Sequence, residues 1–391
     1  MINVFQPTLG AQELAAVAEV FDSSWVGKGP RTAAFEAAFA EYLDVAANRV
    51  TSVSCCTEAL FISMELAGVG PDTEVVLPTV SFVGAGNAVA ARGARPVFCD
   101  VDSRTLTPTV ENVAAALTPR TRAVILVHYG GYPGDVVEIA ELCRERGVLL
   151  IEDAACSVAS CVDGRACGTI GDIGVWSFDS QKILVTGDGA MLSAHDPDVV
   201  ARAAKLAYFG LEQFSGFSQA KVADTRWWDF EISSFSRRSI MNDMQAAIGL
   251  VQLRRLAGFV ERRREITDHY DRELSDLPGV LTPPALPAGH EPSHYLYWVQ
   301  MDEDIRDAVA RDLYNHGIYT TFRYPALHKV AAYRSDARLP KAELAVARTL
   351  CLPLHQALSD ADVEATITAL RAAVTSRSAR ASTLDAVGSL Q

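Results

Sequence analysis

Between residues 50 and 195 one theme recurs: a short apolar run, a helical stretch, then another run. The runs are EVVLP (74–78), PVFCDVD (96–102), AVILVHY (123–129), VLLIEDAA (148–155), IGVWSF (173–178) and AMLSA (190–194). Rich in Val, Ile and Leu and apolar on both faces, they read as strands covered from both sides. Spacings of about 25 residues leave room for crossover helices such as TEALFISMELAGV and DVVEIAELCRERG. The pattern predicts an α/β fold with a mostly parallel sheet flanked by helices.

In such a sheet ligands gather beyond the carboxyl ends of the strands, where loops and helix N-termini converge. Asp153, Ser177, Thr79 and Ser81 all fall at those ends. No G-x-G-x-x-G follows any of the runs, so a dinucleotide site is not indicated, and GKGPRT near the N-terminus follows no strand.

The segment SFDSQKILVTGDGA (177–190) carries Lys182 in a chain with only six lysines against 29 arginines. Arginine keeps its proton at any useful pH, so a site that needs a free amine must use lysine. A carboxylate such as Asp153, at the end of a fully apolar strand, is costly unless a cation meets it. A pyridinium nitrogen is such a cation, and pyridoxal phosphate also needs a lysine amine. The same cofactor needs phosphate donors. SCCTEAL (54–60) offers Cys56 and Thr57 at a strand-to-helix turn, and Ser177 offers a hydroxyl five residues before Lys182. Phe82, at another strand end, could cover the ring. Each has a plainer reading: Asp153 as a helix cap, Phe82 as a core aromatic, SCCT as an ordinary turn.

Asn242 and Gln245 form a capping-box signature that opens a long amphipathic helix, NDMQAAIGLVQLRRLAGFVERRREITDHYDREL. A Pro-rich turn, the strand YLYWVQM (295–301) and helices near 304–316, 340–350 and 359–374 then predict a smaller α/β unit. The expected division is a large domain at 1–255 with an N-terminal arm, a smaller domain at 256–376, and a flexible tail at 377–391.

Taken together the motifs resemble the DegT/StrS-type sugar aminotransferases, pyridoxal-phosphate enzymes of fold type I, over roughly residues 3 to 375. The resemblance rests on SSWVGKGPRTAAFEAAFAEY (23–42), SCCTEAL, VLPTVSFVGAGNAV (76–89), GARPVFCDVD (93–102), IEDAACS (151–157), GTIGDIGVWSFDSQKILVTGDGA (168–190), MNDMQAAIGLVQL (241–253) and YPALH (324–328). It implies that Lys182 holds the cofactor and shuttles the proton. By the same resemblance Asp153 pairs with the ring nitrogen, Phe82 stacks on the ring, and Cys56, Thr57 and Ser177 hold the phosphate. Arg323, Tyr324 and His328 fall where this family's C-terminal domain approaches the substrate.

Two departures stand out. Cys156 occupies the position near the ring hydroxyl where the family usually has Gln or His, and is a poorer hydrogen-bond partner. The segment SFSRRSIMND puts Arg238 where the family commonly places an Asn that reaches the neighbouring subunit's cofactor phosphate, so Arg238 is expected to make that contact. The inserted WWDFEISSF (227–235) could shape the substrate mouth or join the core.

The implied function is transfer of an amino group, most often from L-glutamate, to a ketone on a nucleotide-linked deoxysugar or a cyclitol, by a homodimer with shared sites. Lys182 argues against the related dehydratases, in which histidine replaces the lysine. A non-catalytic cofactor-binding regulator is the rival from another class, and a free keto acid is a further possible acceptor. The formal charge of −13 argues against a nucleic-acid or anionic-membrane partner. The opening MINVFQPTLGAQEL has no secretory pattern, no run is long enough to span a membrane, and the eight cysteines show no zinc spacing. The expected address is the cytoplasm.

Overall fold

The computed structural model of the chain describes residues 1–212 and 219–388, with side chains as far as Arg377. Its centre is a seven-stranded sheet of β1 (Val50–Val53), β2 (Glu74–Pro78), β3 (Arg95–Cys99), β4 (Thr121–Val127), β5 (Leu149–Asp153), β8 (Ile173–Ser177) and β9 (Ala190–Ala194), while the two-residue strands β6 (Cys161–Val162), β7 (Arg165–Ala166) and β10 (His290–Glu291) form a small sheet of their own. Their order across the sheet is β1-β9-β8-β5-β4-β2-β3. The four junctions from β8 to β3 are parallel, whereas β9 runs antiparallel to both neighbours. The segment from 178 to 189 contains no crossover helix, so the chain turns straight back from β8 into β9. That return loop carries Lys182.

Strand alternation explains the double-sided apolar runs. Ala123, Ile125 and Val127 of β4 enter one core together with Ile151 and Val175. Val124 and Leu126 enter another, with Leu150 and with Val136 and Ile139 of helix α6 (Val136–Arg146). Helices α3 (Cys56–Leu66), α4 (Val83–Ala91) and α7 (Pro197–Leu206) lie on the first side, where α10 (Pro340–Arg348) adds Ala342 and Ala345; α5 (Val110–Ala116) adds Val113 to the other, and α1 (Ala11–Asp22) precedes the sheet.

The capping box forms as the sequence predicts. Asn242 Oδ1 accepts from the Gln245 N–H at 3.0 Å, and Gln245 Oε1 accepts from the Asn242 N–H at 3.2 Å. Helix α8 (Asp243–Leu274) follows for 32 residues, about 48 Å. Met241, Ala246, Leu256 and Phe259 pack into the sheet's core, and Ile266, Tyr270 and Leu274 into a second. The changeover falls between Phe259 and Ile266.

The second core is built around the antiparallel pair β11 (Tyr297–Gln300) and β12 (Thr349–Leu352), with α9 (Glu303–Asn315) and α11 (Asp360–Gly388). Strand β11 serves both cores by alternation: Tyr297 and Val299 face the smaller one, Trp298 the larger. Helix α11 continues to Gly388, and Arg377 pairs with Asp312 at 2.7 Å. The small residues of SRSARASTLDAV do not stop a helix already nucleated by packing, and no proline interrupts them.

The first residue of α8 has a second task. Helix α2 (Pro30–Tyr42) has Gly29 as its N-cap and so no capping side chain of its own. The buried Asp243 carboxylate accepts from the N–H groups of Gly29 (2.8 Å), Arg31 (3.1 Å) and Thr32 (2.9 Å), and from the Thr32 hydroxyl at 2.6 Å. One carboxylate therefore satisfies an orphaned helix end more than 200 residues away in sequence. Asp243→Ala should cost about 3 kcal/mol in a denaturant titration, because buried donors lose a charged acceptor; a loss below about 1 kcal/mol would show that water replaces it.

Candidate active site

Asp153 ends β5 and is almost fully buried. Alternation sends its neighbour Glu152 to the opposite face, where the carboxylate accepts from His128 Nε2 at 2.9 Å and from the N–H groups of Gly168 (2.7 Å), Ile170 (2.7 Å) and Gly171 (2.5 Å). Burial alone would raise the Glu152 pKa, but these donors outweigh it and hold the carboxyl below its usual value. Asp153 receives much less. Oδ1 accepts one backbone N–H, from Ala155 at 3.1 Å. Desolvation dominates, and despite that bond and the nearby Lys182 and His128 its pKa is raised.

Lys182 comes to this strand end from the β8–β9 loop. Its Nζ lies 3.8 Å from the Cys156 thiol and 4.7 Å from the centroid of the Tyr295 ring. Burial works to strip its proton, but Cys156, Tyr295, Tyr324 and Cys56 can carry negative charge around it, and the net direction is well upward. Burial also pushes up the thiols of Cys156 and Cys56 and the phenols of Tyr295 and Tyr324, so the cluster holds its protons tightly.

Two helix N-termini flank the cluster. Cys55 caps α3, its thiol accepting weakly from the Glu58 N–H at 3.5 Å. Cys56 and Thr57 are therefore the first two helical residues, where backbone N–H groups have no partner within the helix. The Thr57 hydroxyl faces Gly84 of α4, where an added Cβ would lie 3.2 Å from it. Phe82 caps α4 with its ring 50% exposed, 5.6 Å from the ring of Tyr324. A half-exposed aromatic at a strand end suits a ring-covering role better than a core role. Ser177 ends β8, its hydroxyl accepting from the Asp179 N–H at 3.3 Å.

A loop from the smaller unit completes the cluster. The Leu327 N–H donates to Thr79 O at 2.8 Å at the end of β2, and that bond brings Arg323 and Tyr324 over the site. The Arg323 guanidinium lies 4.5 Å from the centroid of Phe5 and donates to Gln181, the residue before Lys182.

His328, expected on the substrate side, is held between the end of β2 and the smaller unit. Its ring is buried, with Nδ1 2.7 Å from the Thr79 hydroxyl and Nε2 3.2 Å from Glu343. Both nitrogens are engaged, which makes it a clasp holding the Arg323 loop to β2. The insertion 227–235 is not core either: Trp227, Trp228, Phe230 and Ile232 are exposed, and Phe235 is 99% exposed. Arg238, paired in an isolated bridge with Tyr208, lines a cavity of about 1040 Å³ with Trp25, Lys28 and Asn48. No residue of the Lys182 cluster lines that cavity.

Tyr295 went unnoticed in the sequence because it reads as the start of the strand YLYWVQM. The strand begins only at Tyr297. Before it, His294 adopts a positive φ of 52°, and the chain bends to bring Tyr295 to Lys182. Phe5 and Gln181 had no pattern that could mark them.

Residues 7–371 match the DegT/DnrJ/EryC1/StrS aminotransferase family. The chain belongs to this family. A protein of Saccharopolyspora spinosa named dTDP-4-dehydro-2,3,6-trideoxy-D-glucose 4-aminotransferase is 58% identical over 363 residues, covering 93% of this chain and 94% of the relative. The crystal structure of the aminotransferase TlmJ from Streptoalloteichus hindustanus has a TM-score of 0.92 at 64% identity, covering 96% of this chain and 99% of that one. The sugar aminotransferase CalS13 from Micromonospora echinospora has a TM-score of 0.86 at 27% identity, covering 95% and 100%. The protein is thus an aminotransferase of fold type I, and its cofactor is pyridoxal 5'-phosphate.

The residues fit that group. Asp153 is a dry carboxylate with one neutral donor, and a ring N–H⁺ would supply the cation it lacks. Among the described residues the Lys182 amine meets a thiol and an aromatic ring and no carboxylate within hydrogen-bonding distance. The open amides of α3 suit a phosphate.

The sign of the Asp153 shift gives a test. Its folded-state pKa lies above the ordinary carboxylate value, so the cofactor-free protein binds this proton more tightly than the unfolded chain does. That stability is present in full below the ordinary value and is lost as pH rises through the folded value. Asp153→Asn removes the ionisation. The cofactor-free variant should therefore be more stable than the wild type at pH 7, by on the order of 1 kcal/mol. That advantage should disappear toward pH 3 in thermal melts, while cofactor affinity falls at least about tenfold. A variant less stable than wild type at pH 7 would mean that the carboxylate is not desolvated.

Proposed function

We propose that the protein moves an amino group from L-glutamate to the C4 ketone of a dTDP-linked deoxyhexose, within aminosugar biosynthesis in the cytoplasm. The observation that carries the reading is the Lys182 amine buried beside Asp153 at the strand ends, in a chain 58% identical to a relative named for that acceptor class.

Pyridoxal phosphate supplies an aldehyde that takes up the amine and a protonated ring that draws electrons from the reacting carbon. Lys182 holds the cofactor, and its Nζ takes the proton from the substrate carbon and returns it on the other side of the transfer. Asp153, kept dry, holds the proton at the ring nitrogen. Phe82 covers the ring, while Cys56, Thr57 and Ser177 with the first amides of α3 bind the phosphate. Cys156 stands toward the ring hydroxyl. Arg323 and Tyr324 close the substrate side from the smaller unit.

The enzyme works as a homodimer, and Arg238 reaches the phosphate of the neighbouring subunit's cofactor. Its exposure, and its distance in kind from the residues around Lys182 in its own chain, support that reading.

The protein loaded with pyridoxal phosphate should show a visible band that bleaches with L-glutamate and recovers on adding a dTDP-4-keto-deoxyhexose. Recovery only with a keto-inositol would move the acceptor to the cyclitols, and recovery only with a keto acid would remove sugars altogether. Lys182→Ala should keep the fold and lose at least about 10³-fold in turnover; appreciable transamination would refute its role. Arg238→Ala should raise the cofactor dissociation constant about tenfold, and an unchanged constant would remove the cross-subunit contact.

A further inference from the structure

Tyr295 plays no part in the chemistry above, yet the fold takes unusual care to place it. The side chain is fully buried, and Nζ of Lys182 lies 4.7 Å from its ring centroid. Its hydroxyl is buried too and, among the described residues, has no hydrogen bond of ordinary length, although it stands close enough to Lys182 for the two groups to influence each other; the contact with defined geometry is that of the ammonium over the ring. The ring is stacked with Phe5 at 5.6 Å and 24°.

The backbone carrying the ring is pinned from two directions. The N–H groups of Tyr295 and Leu296 donate to Gly130 O at 3.2 and 3.1 Å. Arg263 of α8 donates to the carbonyls of His294 (3.1 Å), Tyr295 (3.3 Å) and Leu354 (3.1 Å), and to Gln356 Oε1 at 2.9 Å. Among the described residues these carbonyl and amide oxygens are its hydrogen-bond partners, and burial pulls its pKa down to about 10. A buried guanidinium with no carboxylate partner is a costly way to hold a loop unless the loop's position matters.

We propose that Tyr295 is a positioning residue for Lys182: its ring face seats the ammonium and keeps Nζ at the strand ends whenever the lysine is not carrying the cofactor. This rests on Lys182 being the cofactor-bearing lysine. An aromatic face attracts a cation most strongly where water is excluded, as it is here. The other groups around Lys182 are Asp153 and Cys156 from β5 and the turn after it, Cys56 from α3, and Tyr324 from the smaller unit's loop, with Arg323 acting on the same thiol and phenol. All of them remain when only residue 295 is changed.

The test uses the full chain stripped of cofactor, as wild type, Tyr295→Phe and Tyr295→Leu, with Tyr295→Met as a second aliphatic variant should leucine disturb the core. Pyridoxal phosphate is added across a pH series and growth of the visible band of the lysine-bound form is followed. Capture needs the neutral amine, so the midpoint of the rate against pH reports on Lys182. Losing the ring should lower that midpoint by about one pH unit, while Tyr295→Phe, which keeps the ring, should leave it in place. An unmoved midpoint in a folded aliphatic variant would overturn the seat, as would a fall in Tyr295→Phe equal to that in Tyr295→Leu. Borohydride reduction and peptide mass separate the two readings. Label on Lys182 with an unmoved midpoint overturns the seat alone, and label on another residue overturns the cofactor-bearing role and the seat with it.

Discussion

The dry carboxylate of Asp153 is the constraint around which the site is arranged. Its strand is covered on both faces, so the strand end lies in a medium that disfavours charge. The adjacent residue shows what the fold does when a carboxylate there is only structural: Glu152 is surrounded by four donors. Asp153 receives one. Two neighbouring acids on one strand thus have opposite environments, one complete and one left to be completed by a ligand.

The carboxylate and the amine of the site reach the same place by different routes. The sheet delivers Asp153 directly. The turn-back from β8 to β9 delivers Lys182, and the smaller unit delivers Tyr295, Arg323 and Tyr324. That last delivery depends on β11 belonging to two cores at once, with Trp298 facing one and Tyr297 the other. The site therefore lies on a seam, and its residues come from every third of the chain.

Much of this was legible in the sequence where a residue's role follows from local pattern. The runs EVVLP and AMLSA coincide with β2 and β9, and the Asn242 capping box forms as read. Asp153 and Lys182 were visible because each breaks a rule, one as an acid at the end of an apolar strand and the other as a lysine where arginine is the habit. Strand β1, only VTSV, is too short and too polar to announce itself. Nothing in YPALH reveals that Thr79 and Glu343 engage both nitrogens of His328. The capping of α2 by Asp243, and the bend that turns Tyr295 toward Lys182, depend on contacts across the chain that no local window contains.

Helix α8 has a mechanical consequence. Because one unbroken helix is packed into both cores, it acts as a beam between them and not as a tether, and the two units cannot swing about a slack joint. The beam has a weak point. Gly258 lies beside Phe259, where the first core ends, and nothing stands within 4 Å of the position a side chain would take. No neighbour demands a glycine there, yet it costs the helix about 1 kcal/mol relative to alanine. If the units flex, they flex as a bent beam, and the bend has a natural place at Gly258, in the last turn anchored in the first core.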